Sequence, residues 1–140
     1  MTALVIDASV AVKWVVMEAD SHVAERLLHE VETLHAPNIL RPELANSLWS
    51  NLRRQTITPE QAFAGLSSVE RSISRWHDIG DLLPRALTRA VRHDHPVYDF
   101  CYIALAQSLG EVLVTADKRL IRSVSGSEEA RYVKPLSDYA

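Results

Sequence analysis

A three-layer α/β/α domain on a central, mainly parallel sheet is the fold class this sequence predicts, on three observations. Two short apolar runs, ALVI (Ala3 to Ile6) and EVLV (Glu111 to Val114), lack the polar alternation of half-exposed strands and read as strands covered on both faces. Segments of helical apolar periodicity occupy most of the chain between them. The length of 140 residues and the 47% hydrophobic content suffice for one core, so residues 1–140 are expected to form one domain. Strands alternating with helices imply right-handed crossovers, and such sheets bind ligands at the carboxyl ends of their strands.

Taken in chain order, Ala3 to Ile6 is the first strand and Val10 to Met17 the first helix. Val23 to Leu34 follows as a helix, with Val23, Leu27, Leu28, Val31 and Leu34 on one stripe. A short strand is expected over Ala36 to Leu40. Helices over Pro42 to Arg54 and Pro59 to Trp76 each open on a proline, whose missing N–H costs nothing in a first turn. Two more helices, Leu82 to His93 and Tyr98 to Leu109, precede Gly110, which suits a helix stop. The second apolar strand comes next, then the polar SGSEE near Ser125, read as a surface loop, and a last short strand over Tyr132 to Leu136. No repeat or low-complexity tract interrupts this order.

Charge and cysteine content narrow the function. The formal net charge of −3 argues against a broad basic surface for nucleic acid, and the small arginine groups read as solvated helix faces. The single cysteine, Cys101, has no internal partner and lies in an apolar segment, which favours a reducing compartment. The N-terminus lacks a basic leader, and no apolar run is long enough to span a bilayer. A cytoplasmic protein without membrane contact is expected.

One carboxylate demands an explanation. Asp99 stands in VYDFCYIALAQ among residues that read as core, and an unpaired buried carboxylate costs several kcal/mol. Asp7 ends the first strand in LVIDAS and Asp117 follows the second in LVTAD, so a parallel sheet brings both to one edge. Glu43 and Asp99 fall in first turns of their helices, where the helix dipole favours them. Singly, each acid has a plain structural role as a cap or first-turn residue. Together they would form a cluster, and like charges ~4 Å apart repel by about 4 kcal/mol at an effective dielectric of 20. Such a cluster takes up protons or binds cations, and with oxygen donors alone magnesium or manganese is the natural occupant.

Three segments, VIDASV, PELANSL and above all HPVYDFCYIALAQSLGEVLVTADKRL, occur in an order and separation that resemble the PIN-domain family, and most closely its VapC-type ribonuclease toxins of bacterial toxin–antitoxin pairs. The resemblance runs nearly end to end. It implies a PIN-like α/β domain in which four acids hold a metal for cutting RNA, roles that fall on Asp7, Glu43, Asp99 and Asp117. Ser9 and Thr115 match hydroxyl positions beside the site, and Asn46 matches a polar position one turn beyond the glutamate. Some relatives carry another acid shortly after the last aspartate, where this chain reads KRLIRS. The resemblance further implies a Mg²⁺- or Mn²⁺-dependent endoribonuclease, homodimeric and held inactive by a VapB-like antitoxin encoded nearby. In such proteins the first and third helices, which here carry Trp14 and Trp49, help form a groove for an antitoxin segment, a helix-in-groove site.

The remaining polar and aromatic residues read more plainly. The six histidines, including His93 and His95, lack a third zinc ligand at fitting spacing and are expected to face solvent or cap helices. Trp14, Trp49 and Trp76 sit in helical apolar patterns and are expected to pack in the core or an interface rather than stack bases. A receiver-type domain would need paired acids at the first strand, and a haloacid-dehalogenase-like phosphatase Asp-x-Asp where this chain has DAS. A catalytically silent RNA- or protein-binding module on the same fold is the alternative from another class, separated from the nuclease by metal-dependent RNA turnover.

Overall fold

Leu4, Val5 and Ile6 are buried in succession on both sides of the pleat, so β1 (Ala3–Ile6) can only be an interior strand. It is the middle strand of five in the computed structural model, which describes residues 2–140. With β2 (Thr33–Pro37), β3 (Arg75–His77), β4 (Leu113–Thr115) and β5 (Val133–Pro135) it forms one sheet in the order β3-β2-β1-β4-β5, every adjacent pair parallel. The register sets Leu4 beside Leu34 and Ile6 beside Val114. Among the described residues, α1 (Ala8–Ala11), α2 (Ser21–Glu30), α3 (Leu40–Arg53), α4 (Pro59–Ser72), α5 (Leu83–His93), α6 (Val97–Leu109) and α7 (Lys118–Val124) are the α-helices. Strand order reverses at β1, with β2 and β3 to one side and β4 and β5 to the other. The carboxyl ends of β1 and β4 therefore flank the topological switch point, where sheets of this class open a crevice.

The helix α6 is the most buried element. Phe100 through Ala106 are all inaccessible, and the helix packs on β1, β2 and β4. It stops at Gly110, whose φ of 68° places it in the left-handed region open to glycine. Thr58 and Gln61 form a reciprocal capping box that starts α4 with Pro59 in its first turn.

Several expected boundaries move, each because tertiary pairing overrides a periodic pattern. The helix expected over Val23 to Leu34 ends at Glu30, since Val31 turns extended and Leu34 joins β2 beside Leu4. The helix expected over Pro59 to Trp76 ends at Ser72, and Arg75–His77 forms an edge strand absent from the sequence reading. Ser74 seeds that strand: its N–H donates to the Leu34 carbonyl at 2.9 Å and its hydroxyl accepts from the Leu34 N–H at 3.0 Å. The first helix reduces to α1 and a 3-10 turn over Val12–Trp14. The helix α7 has no counterpart among the periodic segments of the sequence.

The SGSEE segment is not wholly a surface loop. Glu129 within it is 1% exposed. Its Oε1 meets Arg92 Nη1 at 3.0 Å and Arg89 Nε at 3.5 Å, and its Oε2 meets His93 Nε2 at 3.1 Å. Burial opposes its ionisation, but hydrogen bonds from a backbone N–H and from His93 prevail and hold the carboxyl below its usual range. Arg89 is likewise buried rather than on a solvated face, with Nη2 bonded to Gln107 and Nη1 lacking a partner among the described residues. His93 does not face solvent either; its ring stacks on Phe100 with centroids 5.3 Å apart. This cluster ties the C-terminal segment to α5 and α6. Glu129→Gln should therefore destabilise the chain by about 3 kcal/mol in urea unfolding, because it strands the buried Arg89 guanidinium. Glu128→Gln, at an exposed neighbouring position, should change stability by less than ~0.5 kcal/mol.

Candidate active site

Asp7 lies where β1 ends, and the chain turns there because its carboxylate caps α1: Oδ1 accepts from the Val10 N–H at 3.2 Å. That capping role does not exhaust it. Ser9 Oγ donates to Oδ1 at 2.6 Å and Thr115 Oγ1, from the end of β4, donates to Oδ2. Asp7 is only 5% exposed. Burial pushes its pKa up to about 6, the Ser9, Thr115 and Val10 donors pull it down, and the charge of Asp99 adds to the rise. A carboxylate accepting three hydrogen bonds while remaining hard to ionise is one whose own charge is incompletely compensated.

The other acids arrive from three different elements. Glu43 sits in the first turn of α3. Its Oε1 accepts from the Tyr102 hydroxyl at 2.6 Å, while burial and then the charge of Asp99 raise its pKa despite that bond. Asp99 sits in the first turn of α6, and its Oδ2 lies 2.6 Å from His95 Nε2. His95 is buried, its ring edge-on to Phe100, so it is neither solvent-facing nor a helix cap. The apparently unpaired carboxylate in the apolar segment thus has a helix N-terminus and an imidazole. Burial and the charges of Glu43 and Asp99 also raise the pKa of Cys101.

Asp117 stands apart. Its Oδ1 caps α7 through the N–H groups of Arg119 and Leu120 at 2.9 and 3.2 Å, and it bonds to no other acid. Its link to Asp7 runs through the backbone: the Asp117 N–H donates to Thr115 Oγ1 at 3.1 Å, and Ser9 Oγ accepts from the Ala116 N–H at 2.9 Å. Asn46 is exposed on the rim of a pocket of about 480 Å³ that Glu43, Pro42 and Tyr98 also line. Asp7 and Glu43 therefore each feel the charge of Asp99, Ser9 and Thr115 bind Asp7 directly, and Asp117 and Asn46 lie at the margin. Among the described residues, no three His, Cys, Asp or Glu side chains enclose a metal-sized space on their own. Three residues escaped the sequence reading: Tyr102, which looks like core, His95, whose i, i+4 spacing to Asp99 was the available signal, and the exposed Tyr98.

Of the two tryptophans expected at a groove, Trp49 lines one and Trp14 does not. Trp14 is half-buried and its indole N–H donates to the Ala24 carbonyl at 2.8 Å. An apolar groove of about 240 Å³ instead runs between α3 and α4, lined by Leu48, Trp49, Leu52, Ala62, Phe63 and Leu66, with Ala45 at its edge. Trp49 is 52% and Phe63 72% exposed there, so Trp49 belongs to a groove and Trp14 to the core margin.

The raised pKa of Asp7 makes a stability prediction with a definite sign. The folded value, about 6, lies above the ordinary 3.8, so the contribution of Asp7 to stability is greatest below about pH 4, falls between about pH 4 and pH 6 and levels off above. A rise of that size corresponds to about 3 kcal/mol. Asp7→Asn, which stays neutral, should melt higher than the parent chain at pH 7 to 8 in chelator and show no such advantage at pH 4, as calorimetry at both values would reveal.

The PIN domain model matches residues 4–125. Ribonuclease VapC3 of Pyrobaculum aerophilum is 33% identical over 119 residues, covering 84% of this chain and 91% of that protein. Ribonuclease VapC12 of Mycobacterium tuberculosis is 32% identical over 93% of this chain and 98% of its own length. The fold is that of a crystal structure from P. aerophilum, with a TM-score of 0.73 and 24% identity over 98% of this chain and 94% of that one. It is also that of M. tuberculosis VapC20, described as a sarcin–ricin loop cleaving toxin, at 0.69 and 22% over 90% and 97% of the two chains. On the matched span and on identity sustained across nearly whole relatives, the chain belongs to the PIN-domain family, among its VapC ribonucleases.

Proposed function

We propose that this protein is a divalent-metal-dependent endoribonuclease, the toxin of a toxin–antitoxin pair, with Asp7, Glu43, Asp99 and Asp117 as its catalytic acids. The observation that carries the reading is the state of Asp7, a buried carboxylate at the sheet's switch point that feels the charge of Asp99 and has hydroxyl donors but, among the described residues, no cationic partner. The donors facing that point are oxygens, which suit Mg²⁺ or Mn²⁺. An open, incompletely enclosed acid group fits Mg²⁺, which keeps several waters and is held by one or two carboxylates together with substrate phosphates. Asp7, Glu43 and Asp99 would hold the ion, with Asp117 at the margin. Such an ion would supply Lewis-acid chemistry, which makes a water nucleophilic and offsets charge on a phosphodiester's leaving oxygen.

The chain's own groups do the rest. Ser9 and Thr115 hold both Asp7 oxygens in place, so the carboxylate needs no reorganisation on binding. The acids repel RNA phosphates while no cation is present, which couples substrate binding to metal. We assign the partner to a VapB-like antitoxin whose amphipathic segment lies in the groove between α3 and α4. A homodimer would cover Leu83, Leu87 and Val91, exposed at i, i+4 and i+8 along α5. The site of action is the cytoplasm; among the described residues no helix is long and apolar enough to cross a membrane.

Purified protein should cleave RNA on addition of Mn²⁺ or Mg²⁺ and stop on chelation, whereas Asp7→Asn should bind RNA without cleaving it. Metal-independent binding with no turnover in either protein would instead identify a silent binding module. Expression without the antitoxin should arrest growth, and Asp7→Asn should relieve the arrest.

The groove makes a separate claim. Trp49→Ala or Phe63→Ala should weaken antitoxin binding by about 2 kcal/mol, roughly thirtyfold, in titration calorimetry, while Trp14→Ala should leave the affinity unchanged.

A further inference from the structure

Among the acids described above, Glu43 has a side-chain donor that belongs to neither its own helix nor the strand ends. Tyr102 is 1% exposed, its ring is in the core, and its hydroxyl donates to Glu43 Oε1 at 2.6 Å. The bond joins α3 to α6 across the site. Tyr102 also lies three residues, one helical turn, after Asp99, so a single helix face presents one acid and grips another. A buried phenol needs a partner, and many core acceptors would serve. Here the acceptor is a carboxylate whose second oxygen, Oε2, makes no hydrogen bond among the described residues.

We infer that Tyr102 is a positioning residue for the reaction: its hydroxyl fixes the Glu43 carboxylate so that Oε2 faces the point shared with Asp7 and Asp99. The inference rests on the reading of Glu43 as a metal-holding acid. Glu43 has rotatable side-chain bonds and stands in a helix exposed along one side. Without a donor it would sample conformations that carry its charge away from the site. The hydroxyl selects one of them before any cation arrives, and metal-binding acids depend on such outer partners for a factor of ten to a hundred in affinity. The ring holds the helices together, and the hydroxyl holds the acid. Tyr102→Phe removes only the second role.

The test compares Tyr102→Phe, Glu43→Gln and the double variant by Mn²⁺ titration calorimetry, RNA cleavage kinetics and melting temperature in chelator. Tyr102→Phe is expected to weaken Mn²⁺ binding about tenfold and lower kcat by a similar factor, with KM for RNA unchanged. In the Glu43→Gln background the same substitution should have no further effect on Mn²⁺ affinity. Wild-type Mn²⁺ affinity in Tyr102→Phe, or an equal loss with and without Glu43, would overturn the inference. If Glu43→Gln itself binds Mn²⁺ and cleaves RNA like the parent chain, the fault lies instead in the reading of Glu43. Should Tyr102→Phe not fold, the parent protein carries the test by NMR. The Tyr102 ring carbon bonded to the hydroxyl should shift on titration with Mg²⁺, and should not shift in Glu43→Gln; an unmoved resonance in the parent would equally overturn the inference.

Discussion

Everything at the site depends on how the Asp7 carboxylate is held. It directly follows the central strand, it caps the first helix, and its two oxygens are engaged by hydroxyls from Ser9 and from Thr115 on the neighbouring strand. This arrangement requires β1 and β4 to be adjacent and parallel, since only then do both carboxyl ends meet. It also requires burial, and burial makes the charge expensive: Asp7 ionises reluctantly even with three donors. The fold accepts an electrostatic cost at the point where its strand order reverses, a position such sheets use for ligands.

A second constraint comes from α6. A helix inaccessible along most of its length leaves few orientations open, and its first turn is where polar residues reach the surface. Asp99 occupies that turn, with His95 just before it and Tyr102 one turn beyond. Rigid packing below and exposed polarity above is how a small domain gives exact geometry to a reactive edge. The Glu129 cluster extends the same logic to the chain's end: one buried carboxylate ties the C-terminal segment to α5, and Arg89 and His93 in turn meet Gln107 and Phe100 of α6.

The two apolar surfaces have different characters. The groove between α3 and α4 is concave and aromatic, with Trp49 and Phe63 both open to solvent. The stripe of Leu83, Leu87 and Val91 on α5 is convex and aliphatic. A concave aromatic groove suits an inserted segment, whereas a convex stripe suits a matching face.

The sequence by itself determined the fold class, the central strands and the positions of the acids. These follow from local rules: uninterrupted apolar runs must be covered on both sides, a proline fits the first turn of a helix, and a carboxylate after a strand is placed at the sheet's edge by the strand's direction. The edge strand at Arg75–His77 and the early end of α2 were not legible, because three residues of strand carry no period and the apolar spacing of Val31 and Leu34 fits a helix as well as a strand beside β1. Nor were the partners of the acids. Tyr102 and Glu43 are 59 positions apart and Thr115 and Asp7 are 108 apart, so only folding decides that a core tyrosine grips one carboxylate and a strand-end threonine another. Burial of Glu129 and the path of the groove past Trp49 rather than Trp14 belong to the same class. Polar residues write their identity in the sequence, but their environment is a property of what the rest of the chain brings against them.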